Sequence, residues 1–220
     1  NRMLRGYSHE ANMLVLEGAA PEQVDNVLYN FGMPMGVIAM GDMAGLDIGY
    51  YMRQNLNEGD YDVRTSYVYD ALVEMGRCGQ KTGAGVYDYE AGNRNPIPSP
   101  ITEKLILQAA EKFGIKQREI SDEEIIERCF LSLFNIGCHV LDEGMAYRAS
   151  DIDIVYINGY GFPAWRGGPM YWAEHTIGLE AALNRINQFA ELYGREHWTP
   201  APMLESLVAT GGSLRDIQKG

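Results

Sequence analysis

Two stretches of this chain carry residue types and spacings that could bind a nucleotide. Gly159-Tyr160-Gly161-Phe162-Pro163-Ala164 spells Gly-x-Gly-x-x-Ala after an apolar run, and Glu180 stands downstream at about the distance of a ribose-binding acid. That chemistry requires the loop to end a strand and open a helix whose first amides face a pyrophosphate. Pro163 and Gly167-Gly168-Pro169 interrupt the turn such a helix needs, so the motif reads as a structural turn. Gly83-Ala84-Gly85 is half a fingerprint, with Asp88 where the third glycine belongs. The four histidines, His9, His139, His175 and His197, form no His-Glu-x-x-His pair: after His9-Glu10 the second ligand position is Met13. No metal site, no nucleophile elbow and no P-loop is expected, and most carboxylates fall at three- and four-residue spacings that suit solvated helix faces. The chain is expected to hold no catalytic residue and no cofactor site of its own.

The elements that would position any site are helical. Met3, Leu4, Tyr7, Ala11, Leu14, Val15 and Ala19 recur at helical spacing over residues 1–19. Pro21 fits the first turn of a second helix, which Gly32 and Pro34 stop. Helices are expected over 42–56 and 63–76, with Asn57-Glu58-Gly59-Asp60 as the turn between them. Residues 79–85 read as a loop and 86–89 as a short extended tail. Three prolines between Asn93 and Pro100 mark a linker. Helices resume over 101–113 and from Ser121 to Glu143, where Ser121 and Glu124 can form a capping box. Residues 151–157 alternate like a strand but are assigned helix, because their counterpart at 23–29 does not alternate; further helices are expected over 178–193 and 201–211.

That counterpart belongs to an internal duplication. Arg2 aligns with Arg128 and Glu17-Gly18 with Glu143-Gly144, an offset of 126; Val24-Asp25 then meets Ile152-Asp153, and Gly32-Met33-Pro34 meets Gly161-Phe162-Pro163. Each copy runs as a long helix, a shorter helix with a Val/Ile-Asp pair, and a Gly-x-Pro turn. The boundary between copies is placed in the proline-rich linker, giving 1–95 and 96–220.

At 220 residues the chain can bury a substantial core without staples. Its net charge of −12 and scattered basic residues argue against a nucleic-acid partner. No apolar run is long enough for a membrane span, and no signal-peptide layout stands at the start. Cys78, Cys129 and Cys138 make no CxxC pair and read as buried, reduced side chains. Lys219-Gly220 is no peroxisomal tripeptide, and a cytoplasmic location is expected. The opening Asn1-Arg2-Met3-Leu4, without an initiator methionine, reads as a cut from a longer polypeptide.

Several blocks together carry a family likeness: Asn1-Arg2, Met35-Gly36, Asp42-Met43-Ala44-Gly45-Leu46-Asp47, Gly79-Gln80-Lys81-Thr82-Gly83-Ala84-Gly85-Val86-Tyr87, Gly159-Tyr160-Gly161-Phe162-Pro163 and Gly167-Gly168-Pro169-Met170. Over nearly its whole length the chain resembles the C-terminal part of 3-hydroxyacyl-CoA dehydrogenases. Its tandem copies are similar to those of the multifunctional enoyl-CoA hydratase/3-hydroxyacyl-CoA dehydrogenases of fatty-acid β-oxidation. The resemblance implies an all-α fold of two related helical domains, of the 6-phosphogluconate dehydrogenase C-terminal type, packed as a pseudo-dimer. It also implies preceding Rossmann and hydratase domains of the same parent chain.

The implied reaction is oxidation of a 3-hydroxyacyl-CoA to the 3-ketoacyl-CoA, with NAD held by the Rossmann domain and a His–Glu pair, also outside this chain, taking the hydroxyl proton. The family's asparagine falls on Asn1, whose amide would orient the substrate; read without the family it is a plain helix cap. Asn158, before Gly159, is a second implied substrate contact. Lys81 and Thr82 read as parts of the glycine loop rather than as contacts to the CoA phosphates, and Val37-Ile38 departs from the Pro-Phe usual in the family. The isolated segment is expected to be inactive. The alternative is a free-standing helical scaffold that binds acyl-CoA or a protein partner without catalysis.

Overall fold

The computed structural model describes residues 1–57, 59 and 61–217, so Lys219, Gly220 and part of the turn at 57–60 lie outside it. The helices are α1 (Arg2–Glu17), α2 (Pro21–Phe31), α3 (Val37–Ala44), α4 (Leu46–Arg53), α5 (Val63–Glu74), α6 (Pro100–Phe113), α7 (Asp122–Asp142), α8 (Ala149–Gly159), α9 (Pro169–Trp172), α10 (Leu179–Tyr193), α11 (Arg195–Trp198) and α12 (Pro202–Thr210). Among the described residues the extended pairings are isolated bridges of the 79–97 segment, Gly79 with Ala84, Ala84 with Asp88 and Asp88 with Ile97. The all-helical expectation holds.

Departures from expectation have local causes. The span 42–56, expected as one helix, holds only the end of α3, which starts at Val37, and then α4, because Gly45 adopts φ +105 and turns the chain while its amide closes α3 on Gly41 O. Residues 151–157 do lie in a helix: Ile152 and Tyr156 face inward, while Ile154 between them lies on the solvent face and produces the misleading alternation. Ser121 Oγ accepts from Glu124 N at 3.1 Å, but the Glu124 carboxylate is taken by Arg118 Nη1 at 2.8 Å, so half the capping box forms. The short α9, the π turn Ala173–Ile177 that continues it and α11 escaped the sequence reading, since four or five residues show no period.

The helices divide into two compact units. The first takes Asn1–Glu10, Phe31–Pro34 and the chain from Ile126 onward; the second takes Ala11–Asn30 and Met35–Ile125. In the first, Phe130 stacks on Phe31 at 4.1 Å and meets Phe162 and Trp172 edge-on at 5.6 and 5.7 Å. Beside this cluster, α8 packs on α9, and α10 on α11 and α12. In the second unit Leu14, Val24, Leu28, Leu72 and Ala109 are fully buried, with α5 packed between α4 and α6. Burying the leucines and Val24 contributes about 1.5–3 kcal/mol each.

The duplication reappears as one capping device used twice. In the second unit Asp25 of α2 accepts from Ile38 N at 2.8 Å and Ala39 N at 2.9 Å, the second and third residues of α3. In the first unit Asp153 of α8 accepts from Met170 N at 2.7 Å and Tyr171 N at 3.2 Å, the second and third residues of α9. Each aspartate satisfies amides that have no partner within their helix. Each also presses against the glycine before the capped helix: an added Cβ on Gly36 would lie 2.1 Å from Asp25, and on Gly168 2.4 Å from Asp153. A second pair follows six residues after those glycines. Asp42 accepts from Val86 N and Tyr87 N at 2.9 Å, and Glu174 accepts from Ser213 Oγ at 2.7 Å and Leu214 N at 2.9 Å.

Candidate functional site

Asn1 stands exposed at the head of α1, where its carbonyl accepts from Arg5 N at 3.1 Å and so opens the helix. Its side chain turns to the second sequence copy: Tyr160 OH donates to Asn1 Oδ1 at 3.4 Å, long for such a bond. Tyr160 follows the end of α8, and its ring stacks on Tyr156 one turn earlier at 4.8 Å and 28°. Tyr156 is only 4% exposed, and among the described residues nothing pairs with its hydroxyl. Burial pushes that hydroxyl well above the ordinary tyrosine range.

Asn158 is exposed on α8, and its amide Nδ2 donates to Ile154 O at 2.9 Å in its own helix. The residue of this turn that reaches Asn1 is Tyr160, two positions on. No local spacing marks it, because its partner lies 159 positions away in the sequence.

Behind the head of α1, Arg128 Nε of α7 donates to Glu10 Oε2 at 2.8 Å, and the guanidinium lies 4.0 Å over the Tyr193 ring. Both charged side chains are almost fully buried. Burial alone would raise the Glu10 pKa, but the hydrogen bond to His9 and the charge of Arg128 hold it below the usual carboxylate range. This pair braces the helix rather than facing solvent. Nearer Asn1, Arg2 pairs with Glu143 on the surface.

The glycine loop of the second unit is structural. Lys81 Nζ donates to Asp47 Oδ2 at 2.7 Å, and Thr82 Oγ1 accepts from Cys78 N at 2.9 Å while donating within the same loop. Gly79 is required outright: at φ +103, an added Cβ would lie 2.1 Å from Asp42 O. A cavity in this unit is walled by Val15, Val68, Ile106 and the Tyr69–Asn12 hydrogen bond.

The residues around Gly159 do not fit a dinucleotide. No strand precedes them; Gly161, at φ +72, packs against Pro34, and a 3-10 turn of Ala164–Arg166 follows in place of a helix with open amides. No step of a redox reaction is therefore assigned to this loop.

Residues 1–89 and 125–220 match the family model for the 3-hydroxyacyl-CoA dehydrogenase C-terminal domain. The chain belongs to that family, as a C-terminal dehydrogenase segment without a nucleotide-binding fold among its described residues. It is 41% identical to the peroxisomal bifunctional enzyme of Danio rerio over 96% of its length, and 38% identical to that of Homo sapiens over 86%. It is 34% identical to the peroxisomal fatty acid beta-oxidation multifunctional protein AIM1 of Arabidopsis thaliana over 98%. The chain spans 31%, 28% and 30% of these relatives' lengths. Among solved structures, the dehydrogenase part of multifunctional enzyme 1 from C. elegans superposes with a TM-score of 0.74 at 27% identity, over 94% of this chain and 46% of that one. The 3-hydroxybutyryl-CoA dehydrogenase of Escherichia coli shares the fold, at TM-score 0.71 and 22% identity, over 96% of this chain and 59% of that one.

These relatives correct one expectation. The cytoplasmic location is overturned, because the named relatives are peroxisomal enzymes. Three scattered thiols argue against an oxidising compartment and do not distinguish among the others. Lys219 and Gly220 lie outside the described residues.

Proposed function

We propose that this chain is the substrate-binding and pseudo-dimerisation part of an NAD-dependent 3-hydroxyacyl-CoA dehydrogenase of peroxisomal fatty-acid β-oxidation. The parent oxidises (S)-3-hydroxyacyl-CoA to 3-ketoacyl-CoA, with NAD held by a preceding nucleotide-binding domain, a His–Glu pair outside this chain taking the hydroxyl proton, and a hydratase domain before that. The family copies divide at the proline-rich linker, 1–95 and 96–220. In this reading Asn1 orients the acyl-thioester, and Asn158 is a peripheral contact at the same end of the unit.

The observation that supports it most is the exposed Asn1 amide at the head of α1, which lies within one compact unit together with the Gly159–Pro163 turn of the other copy. An amide there donates from its nitrogen and accepts at its oxygen, which suits a ligand carrying a hydroxyl beside a carbonyl. The experiment is titration of the 15N-labelled chain with acetoacetyl-CoA. The reading predicts shifts concentrated on the Asn1 side-chain amide and the backbone amides of residues 156–161. Shifts absent there, or confined to the second unit, would contradict it.

A further inference from the structure

The two sequence copies are unequal at this place. By the offsets of the duplication, the counterpart of Asn1 is Glu127 and that of Tyr160 is Phe31. Glu127 is engaged by Arg185, whose Nε donates to Glu127 Oε2 at 2.6 Å. Phe31 has no hydroxyl and lies buried between Phe130 and the Arg166 guanidinium, which stands 3.9 Å over its ring. An amide and a hydroxyl that meet in one place are thus replaced in the other by a neutralised acid and a core ring. The chain retains one such pair, with one member from each copy.

The pairing has a chemical consequence. A side-chain amide at a helix head can rotate freely and present either its oxygen or its nitrogen. The Tyr160 hydroxyl donates to Oδ1, which leaves Nδ2 as the amide's donor for a ligand. Tyr160 is itself fixed, because its ring stacks on the buried Tyr156 and its backbone amide donates to Tyr156 O at 3.1 Å. Hydrogen bonds of active-site groups are often long in the unliganded state and tighten when the ligand binds.

We propose that Tyr160 is a positioning residue for acyl-thioester binding, holding the Asn1 amide so that Nδ2 faces the ligand oxygen. The second sequence copy thereby completes a site begun by the first. This rests on the substrate-binding reading of Asn1 given above, and it extends that reading to a residue in the other copy.

The test is a double-mutant cycle in the full-length dehydrogenase, with kcat and KM for a 3-hydroxyacyl-CoA measured for Asn1→Ala, Tyr160→Phe and the pair, alongside the thermal midpoint of each. Tyr160→Phe keeps the ring stack and is expected to lower kcat/KM roughly three- to tenfold, the range a neutral hydrogen bond supports. Its effect is expected to vanish in the Asn1→Ala background, because Tyr160 acts only through Asn1. Independent, multiplying losses from the two changes would overturn the proposal, as would a loss from Asn1→Ala with none from Tyr160→Phe; both outcomes leave the reading of Asn1 standing. Full turnover by Asn1→Ala would overturn that reading and the proposal with it.

Discussion

Arg128 Nε meets Glu10 Oε2 at 2.8 Å with both side chains almost fully removed from water. A charge pair in that setting is costly to break from one side, since the survivor remains buried without its partner. Glu10→Gln is therefore expected to destabilise the chain by about 3–5 kcal/mol. Replacing both residues by Leu and Met is expected to cost far less than Glu10→Gln alone. Chemical denaturation of the three proteins checks this, and equal losses for single and double changes would contradict it.

Asp153 titrates in an unusual range. Its burial outweighs the amides of Met170 and Tyr171, pushing its pKa from 3.8 up to about 7, and burial likewise pushes Asp25 up to about 6. A carboxyl whose folded pKa is raised holds its proton in the folded chain where the unfolded chain has released it. Its stabilising contribution is thus complete below pH 3.8 and lost as pH rises toward 7 for Asp153 and toward 6 for Asp25. At about 1.36 kcal/mol per unit, the Asp153 contribution reaches about 4 kcal/mol. Asp153→Asn is expected to flatten the decline in stability between about pH 5 and 7. A wild-type denaturation midpoint that rises across that interval, with the same slope in Asp153→Asn, would contradict the assignment.

The two capping glycines separate steric from backbone cost. Gly36, at φ −71, has ordinary backbone, so Gly36→Ala must only displace Asp25. Gly168, at φ +101, adds backbone strain to the same displacement of Asp153. Gly36→Ala is expected to cost about 1–3 kcal/mol and Gly168→Ala about 1–2 kcal/mol more. Thermal unfolding compares them directly, and the reverse order would show that the pressed aspartate dominates.

The Tyr156 hydroxyl offers the opposite case. A buried hydroxyl without a partner lowers stability, so Tyr156→Phe, which keeps the ring against Tyr160, is expected to raise the unfolding free energy by about 1 kcal/mol. A loss of that size would reveal that the hydroxyl is satisfied in solution.

Long helices were legible in the sequence because their faces are periodic: α1, α2 and α6 begin and end within a few residues of the expected spans, which Pro21, Gly32 and the prolines before 101 mark. The duplication was legible because Asp25 and Asp153, which accept from first-turn amides of α3 and α9, recur in order with the Gly-x-Pro turns that follow them. Gly45 was missed as a helix break because a lone glycine inside an apolar pattern looks tolerable until its φ is known. Tyr160 was missed for a different reason. Its hydroxyl meets Asn1, 159 positions away, a pairing that local pattern cannot supply.

The most direct test of the account is absorbance at the NADH band with a 3-hydroxyacyl-CoA and NAD. The account predicts no NADH from this chain alone and turnover from the full-length dehydrogenase that contains it. NADH formed by the purified chain on its own would place hydride transfer within these 220 residues and contradict the account.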